Sequence, residues 1–192
     1  MTNLWEQPPN GRTADAAAAF AALVPVIETE RLRLRAPGIG DFDAWAGIEC
    51  GDRGVGIGGP MSRADSWLDF AQATATWLLR GHGLWSVESR NTGALLGFVL
   101  IGFEPGDQEP ELGFLFTEAA EGQGYAFEAA KAARAHAFGA LGFVTIVSYI
   151  APDNDRSIRL AERLGAARDT AAEVDIGNEC LVYRHPNPGK CL

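Results

Sequence analysis

Gly122-Gln123-Gly124-Tyr125-Ala126-Phe127-Glu128-Ala129 is the stretch that decides the fold, because two different periodicities meet there. Before it, Glu111-Leu112-Gly113-Phe114-Leu115-Phe116 reads as a strand that follows the turn-rich segment Glu104–Pro110. After it, Ala126, Ala130, Ala133 and Ala137 recur every three or four residues and give a helix over Tyr125–Leu141 with a smooth face for close packing on a sheet. Gly142 ends that helix. A strand, a glycine turn and a helix start form a natural phosphate site. The first amides of a helix lack intrahelical acceptors, the helix dipole adds positive potential, and glycine lets an anion approach the backbone. On these residues alone a plain tight turn stands as the alternative.

Working outward, Phe143–Ile150 reads as the next strand, Asn154–Leu164 as a helix closed by Gly165, and Ala166–Asp169 with Cys180–Arg184 as closing strands. Upstream, Leu32 and Leu34 alternate with Arg31, Arg33 and Arg35, so Ile27–Arg35 reads as a half-buried strand. Asp41 is a cap for a helix carrying Phe42, Trp45 and Ile48, and Ser62 or Asp65 opens another that runs to Gly81. Leu84–Glu88 and Leu95–Phe103, joined by Asn91-Thr92-Gly93, complete an antiparallel meander with Glu111–Phe116. The order predicts an α/β single domain with a mixed, mostly antiparallel twisted sheet of six to seven strands flanked by about four helices. Glu111–Phe116 and Phe143–Ile150 flank one helix and are expected to be parallel neighbours. Residues 1–26 read as a partly helical leader, 27–185 as the domain and 186–192 as a tail.

The 192 residues are 47% apolar and 21% charged, enough for one sizeable core. Sixteen basic residues against 25 acidic ones give a net charge of −9, which disfavours nucleic acid as a partner; it suits either plain solubility or approach of a cationic ligand. No segment reads as a secretory signal or a membrane span, so a cytoplasmic location with no membrane partner is expected. Cys50, Cys180 and Cys191, and likewise His82, His136 and His185, are too scattered for a local metal site or a disulfide framework. His82 and His136 have no neighbouring nucleophile arrangement, and Trp45, Trp67, Trp77 and Trp85 sit at apolar positions expected in the core, while Trp5 falls outside the pattern. Gly54-Val55-Gly56-Ile57-Gly58-Gly59 matches a dinucleotide fingerprint in letters, but it follows a helix and runs into Pro60. It reads instead as a mobile loop near the substrate.

Four motifs in order carry a resemblance to a known family: Ile27-Glu28-Thr29-Glu30-Arg31-Leu32-Arg33-Leu34-Arg35, Glu111-Leu112-Gly113-Phe114, Gly122 to Ala129, and Ala151-Pro152-Asp153-Asn154-Asp155-Arg156-Ser157-Ile158-Arg159 leading to Leu164-Gly165. The chain from Ile27 to Gly165 resembles the GNAT superfamily of N-acetyltransferases, in particular its Rim-type branch of ribosomal-protein N-terminal acetylators. The resemblance implies acetyl-CoA as co-substrate, no metal, and acetyl transfer to a primary amine by direct attack in a ternary complex, with a protein or peptide N-terminus as the favoured acceptor. Alternatives are a non-catalytic acyl-CoA sensor or interaction module, and an acetyltransferase of small molecules such as polyamines or aminoglycosides. A homodimer is compatible with it.

Residue by residue, the resemblance implies that Gly122, Gln123, Gly124, Tyr125 and Ala126 hold the coenzyme pyrophosphate. The strands Glu111–Phe116 and Phe143–Ile150, fourth and fifth in order, splay apart through a bulge, and the pantetheine arm pairs with Phe114, Leu115 and Phe116, whose amides also meet the oxyanion. Asn154 and Ser157 contact the arm, with Ser157 as the acid for the leaving thiolate, although both are also ordinary helix caps. Glu111 is the candidate general base, and Glu109, two residues earlier, competes for the role. The family's frequent tyrosine acid is replaced by Ala161, a frequent threonine by Phe127, and the residue opening the phosphate motif by Glu121, an acid that must point away or be offset. Lys131, Arg134, Arg156 and Arg159 are candidates to meet the coenzyme phosphates.

Overall fold

The computed structural model describes residues 3–177 and 179–188. Cys191, residues 1–2 of the expected leader and the end of the expected 186–192 tail lie outside the described residues.

Leu4–Glu6 forms a 3-10 turn and Gly11–Ala21 the helix α1. The expected first strand divides into β1, Ile27–Glu28, and β2, Leu32–Arg35, folded back on each other in antiparallel register. Thr29 makes the bend: its N–H donates to Leu32 O at 2.9 Å, and its Oγ1 accepts from Leu32 N at 3.0 Å. The helices α2, Phe42–Glu49, and α3, Arg63–Arg80, follow, with a 3-10 segment Asp52–Ile57 between them. Ser62 caps α3 by accepting from Asp65 N. Asp41 does not cap α2 as expected: its carboxylate accepts from Arg35 at 2.7 and 3.0 Å, from Ser86 Oγ at 2.7 Å and from Gly38 N at 2.8 Å. A half-buried arginine is a stronger claimant on that carboxylate than a helix amide.

Next come β3, Leu84–Ser89, β4, Leu95–Gly102, and β5, Glu111–Phe116, then α4, Tyr125–Gly139, β6, Val147–Ile150, and α5, Asp155–Arg163. The short strand β7, Ala167–Arg168, the helix α6, Thr170–Asp175, and β8, Leu181–Arg184, close the chain. The sheet therefore has eight strands, in the order β1-β2-β3-β4-β5-β6-β8-β7, rather than six or seven. The division of Ile27–Arg35 accounts for the extra strand. Among the described residues there are six α-helices, α1 and α6 adding to the expected four.

Side chains alternate across the sheet as the strand period requires. Leu32, Leu34, Trp85, Val87, Val99, Ile101 and Leu112 face Ala129, Ala130, Ala133 and Ala137 of α4, all fully buried. Leu84 and Phe98 face Phe42, Trp45 and Phe70 on the opposite side, under α2 and α3. Trp45 and Trp85 are buried and Trp67 and Trp77 packed against the core, as their positions suggest. Trp5, unplaced by sequence, packs its ring 5.1 Å from Trp67 and 5.9 Å from Phe42, while Arg63 binds Glu6 at 2.7 Å. The first residues thereby clamp α2 to α3. No helix among the described residues is long and apolar enough to cross a membrane.

All strand pairs are antiparallel except β5 and β6, which are parallel and share the single register pair Glu111 with Val147. Beyond that pair they part, which is the expected splay. It arises without the expected bulge in β5, whose ladder to β4 runs one-to-one from Glu111 to Phe116; the register shift lies instead between Val87 and Glu88, where β3 meets β4.

Candidate active site

The gap between β5 and β6 opens two cavities that meet. The larger, about 1100 Å³, runs from the start of α4 along Phe114–Phe116 to the start of α5. The smaller, about 310 Å³, lies on the α2 and α3 side of the sheet and contains Glu111. Gly56, Ile57, Phe114, Leu115, Asn154 and Ser157 line both and mark the junction.

At the far end of the larger cavity Gly122 and Gly124 have φ of +69° and +78°, values that L side chains rarely adopt, and Gly124 is the residue before the first turn of α4. Glu128 N donates to Gly124 O as the helical ladder begins, so the preceding amides have no helical acceptor. Gly122, Gly124, Tyr125 and Ala126 line the cavity. Gln123 does not: its side chain donates to Ala119 O at 2.8 Å, and its carbonyl accepts from Arg31 Nη1 at 2.9 Å. Arg31 also meets Glu128 at 2.7 Å, so the loop is held from behind by the bend that leads into β2.

Glu121, the acid that opens this motif, is neutralised in place, with Arg53 and Arg156 each 2.6 Å from its Oε1. Arg156 and Arg159 line the cavity, joined by Arg53 and Arg163, which sequence reasoning missed. Lys131 and Arg134 do not line it, and Arg134 donates to Leu164 O at 2.5 Å instead.

The strand edge has a regular polarity. Val147 N donates to Pro110 O, Ser148 Oγ to Leu112 O at 2.6 Å, and Arg53 Nη2 to Phe116 O at 2.9 Å. Residues 110, 112 and 116 therefore turn their backbone groups away from β4, and by the two-residue period so does Phe114. The Phe114 N–H and C=O face the gap at the junction. Leu115 pairs with Phe98 of β4, so of the three residues expected to pair with an incoming arm, Leu115 contributes its side chain only. Phe116 O is already taken by Arg53.

Asn154 caps α5 by accepting from Ser157 N at 3.2 Å, and its Nδ2 donates to Gly56 O at 3.1 Å. A Cβ on Gly56 would stand 3.0 Å from that Nδ2, so a larger residue there would require the Asn154 amide to give way. The 3-10 segment Asp52–Ile57 thus contributes Gly56 and Ile57 to the wall shared by the two cavities. Ala161 is fully buried among Ile150, Ala166 and Tyr183 and offers no proton to the site.

The two candidate carboxylates part company. Glu109 is held by Arg184 through two contacts of 2.6 Å and by Thr145 at 2.7 Å, and Arg184 keeps it below the ordinary carboxylate range against the effect of burial. It lines neither cavity. Glu111 lines the smaller one, and burial, followed by the nearby charges of Glu104 and Asp107, pushes its carboxyl up to about 8, with the Tyr149 amide pulling the other way.

Behind the junction, Ser148 Oγ lies 3.0 Å from His185 Nε2, and Arg134 Nη1 is 3.5 Å from His185 Nδ1. The pattern sets Nε2–H as donor to Ser148, which passes its own proton to Leu112 O and ties β6 to β5 where the splay begins. Burial, then Arg134, lowers His185 to about 3. A depressed base stabilises the fold above its unfolded value of 6.5, and the stability is lost as pH falls toward 3. Unfolding free energy measured by denaturant is expected to fall by up to about 1.4 kcal/mol per pH unit below 6.5, and His185→Gln to flatten that dependence. His82 and His136 play structural parts: His82 Nδ1 meets Ile101 O at 2.7 Å, and His136 packs edge-on against Trp85. No group of three or more His, Cys, Asp or Glu side chains suited to a metal occurs among the described residues.

A sheet parted at one parallel pair, with a helix-start cradle at one end of the gap and a carboxylate pocket at the other, defines a group-transfer fold. Residues 31–167 match the family model described as the acetyltransferase (GNAT) domain. The chain belongs to that family. An acetyltransferase from Agrobacterium tumefaciens is 40% identical, with a TM-score of 0.80 over 85% of this chain and 95% of that one. YkkB of Bacillus subtilis, an uncharacterized protein, is 34% identical over 105 residues, which span 52% of this chain and 58% of YkkB. A putative ribosomal-protein-serine acetyltransferase from Vibrio cholerae is 21% identical, with a TM-score of 0.62 over 84% of this chain and 98% of that one, a likeness of fold alone.

Proposed function

We propose that this GNAT acetyltransferase moves the acetyl group of acetyl-CoA to a primary amine by direct attack within one ternary complex. The observation that carries this reading is the meeting of the two cavities at Phe114 and Ser157, with the elevated carboxylate of Glu111 on one side only.

In this reading the pyrophosphate lies against the amides of Gly122–Ala126, with Arg156 and Arg159 nearby, and the pantetheine arm runs along the Phe114 edge toward Ser157. The amine enters from the smaller cavity as an ammonium ion. Glu111 accepts its proton, directly or through a water, and the freed nitrogen lone pair attacks the thioester carbonyl. The new C–N bond forms as the carbonyl electrons move to oxygen, where the Phe114 N–H is the available donor. The carbonyl re-forms as the C–S bond breaks, the departing thiolate takes the Ser157 Oγ proton, and the hydroxyl is restored by the second proton that the new amide nitrogen loses. A thiol is a good leaving group, so the alanine at 161 is tolerable.

Cys180 is the one cysteine that lines the smaller cavity among the described residues, a placement its position outside the matched motifs did not suggest. Burial, then the charges of Glu111 and Asp107, raises its thiol, which disfavours the thiolate needed to carry an acetyl group. Direct transfer is thereby favoured over a covalent relay. The preference for a peptide N-terminus rests on the Rim-type resemblance and on the small residues of the Gly51–Ser62 segment, which leave room for an extended peptide.

Release of free coenzyme thiol from acetyl-CoA in the presence of a panel of primary amines tests the reading. Amine-dependent release supports it; acetyl-CoA binding without release on any amine supports the sensor alternative. Ser157→Ala is expected to lower turnover at least ~10²-fold across the pH range while leaving coenzyme affinity within a few-fold. A loss of only a few-fold would return Ser157 to its capping turn.

A further inference from the structure

The turn between β4 and β5 brings Glu104 and Asp107 to the smaller cavity, where both line the same space as Glu111. Most of its bonds are internal: Glu104 N donates to Asp107 Oδ2 at 2.6 Å, Asp107 N to Glu104 O at 3.1 Å, and Gln108 Nε2 to Gly106 O at 2.9 Å. Among the described residues, positions 104–108 have one hydrogen bond to another element. Gln108 N donates to Tyr149 Oη of β6 at 3.3 Å, and the next amide, Glu109 N, donates to the same oxygen at 3.1 Å.

That single tie works against electrostatics. Glu104, Asp107 and Glu111 are like charges around one cavity, and each is disfavoured by the approach of the others. Burial, then the charges of Asp69 and Asp107, holds the Glu104 carboxyl above its ordinary range, and burial does the same for Asp107. A cationic anchor would hold the turn and cancel its charge at once. A phenol oxygen that accepts two amides holds it and leaves the charge in place. Burial raises the Tyr149 hydroxyl, so the anchor stays neutral where the carboxylates titrate. Tyr149 also meets Glu111 from the side of β6, where its backbone amide favours the ionised carboxyl.

We propose that Tyr149 is a positioning residue for acetyl transfer, its phenol oxygen holding the turn between β4 and β5 so that Glu104 and Asp107 face the general base Glu111. The proposal rests on the transferase reading above and adds to it what makes the base strong. A carboxylate at its ordinary value is a poor acceptor for the proton of an ammonium ion, and negative charges held beside it narrow that gap. The other titratable groups on the cavity are Glu49 of α2, Asp69 of α3, and Glu179 and Cys180 ahead of β8, while the Glu109–Arg184 pair lies outside it. Of all these acids, Glu104 and Asp107 are the ones whose charge acts on Glu111.

The test follows Glu111 itself. In protein carrying isotope-labelled glutamate, the carboxyl signal missing from Glu111→Gln identifies Glu111, and carbon NMR reads its titration in the parent and in Tyr149→Phe. The parent is expected to titrate at about 8, and Tyr149→Phe, which keeps the ring and loses the tie, at a pH lower by about half a unit or more. The rising limb of kcat/KM should move with it, and acetyl-CoA affinity should stay within a few-fold, since Tyr149 does not line the larger cavity. In a Glu104→Gln/Asp107→Asn background the Tyr149 substitution should leave the Glu111 titration where it is, a non-additivity that general loosening of the fold would not give. That double variant, which spares Tyr149, should by itself move the titration in the same direction as Tyr149→Phe. An unmoved Glu111 titration in Tyr149→Phe, or a shift of equal size with and without the two turn carboxylates, would overturn the proposal and leave the transfer reading standing. A chain that bound acetyl-CoA and released no thiol with any amine would overturn the transfer reading, and with it the part given to Tyr149.

Discussion

Glu111→Gln is expected to lower kcat/KM by about 10²–10⁴-fold at neutral pH, the range typical of a lost general base. The parent profile should rise with pH through about 8, where Glu111 ionises, and the variant should lose that limb and regain activity only as the amine itself deprotonates at higher pH. Coenzyme affinity should change little, since Glu111 lines the acceptor cavity and not the larger one. The same substitution should stabilise the protein. A carboxyl whose folded value is raised to about 8 favours the fold while protonated, and that contribution is lost as pH rises from the unfolded value of 4.5 through 8. Glutamine mimics the protonated form, so its melting temperature should exceed the parent's at pH 8 by roughly 2 °C or more. Glu109→Gln gives the contrast. It breaks the pairing with Arg184 and Thr145, so it should lower stability while leaving the pH profile of the rate intact. If Glu109→Gln abolished that limb and Glu111→Gln did not, the base would have been misassigned.

Gly124→Val is expected to weaken acetyl-CoA binding by at least about tenfold, and to beyond detection if the backbone of the turn shifts. At φ +78° a β-branched residue is a steric outlier, and relief of that strain would reorient the amides that begin α4. The space around an added Cβ is otherwise open, with Arg31 Nη2 at 3.6 Å as its nearest contact, so the effect falls on the turn's conformation and on ligand approach rather than on core packing. Calorimetric titration beside a thermal melt separates the two: a folded variant that binds acetyl-CoA as tightly as the parent would mean the phosphate cradle lies elsewhere.

The Ala126, Ala130, Ala133 and Ala137 spacing and the glycine turn before it were legible because they are local, and they place α4 on the sheet between two parallel strands as the sequence predicts. What was not legible depends on residues far apart in the chain. Ile27–Arg35 alternates like one strand, yet Thr29 turns it, and that bend is held by Glu128, 99 positions away, whose Oε1 accepts from Thr29 Oγ1 at 2.6 Å. The six-residue helix α6 is too short to show a period, and only the Asp169 cap marks it. Glu109 and Glu111 are indistinguishable by alternation, and it is Arg184, 75 positions on, that withdraws Glu109 from the site. Glu121 looks adverse to an anion until Arg53 and Arg156 are seen beside it. Arg53 carried one signal, its place immediately before the Gly54–Gly59 segment read as lying near the substrate. The acidic pocket had only the net charge to announce it, since Glu49, Asp69, Glu104 and Glu111 reach it from α2, α3, the turn after β4 and β5.

The central claim is that amine and acetyl-CoA react while both are bound, at the junction of the two cavities. Initial velocities of coenzyme-thiol release over a grid of acetyl-CoA and acceptor amine concentrations test it most directly. Reciprocal plots that intersect, with no thiol released before the amine is added, are the predicted result; parallel lines with a stoichiometric burst of thiol in the absence of amine would mean that the enzyme is acetylated first, and would contradict it.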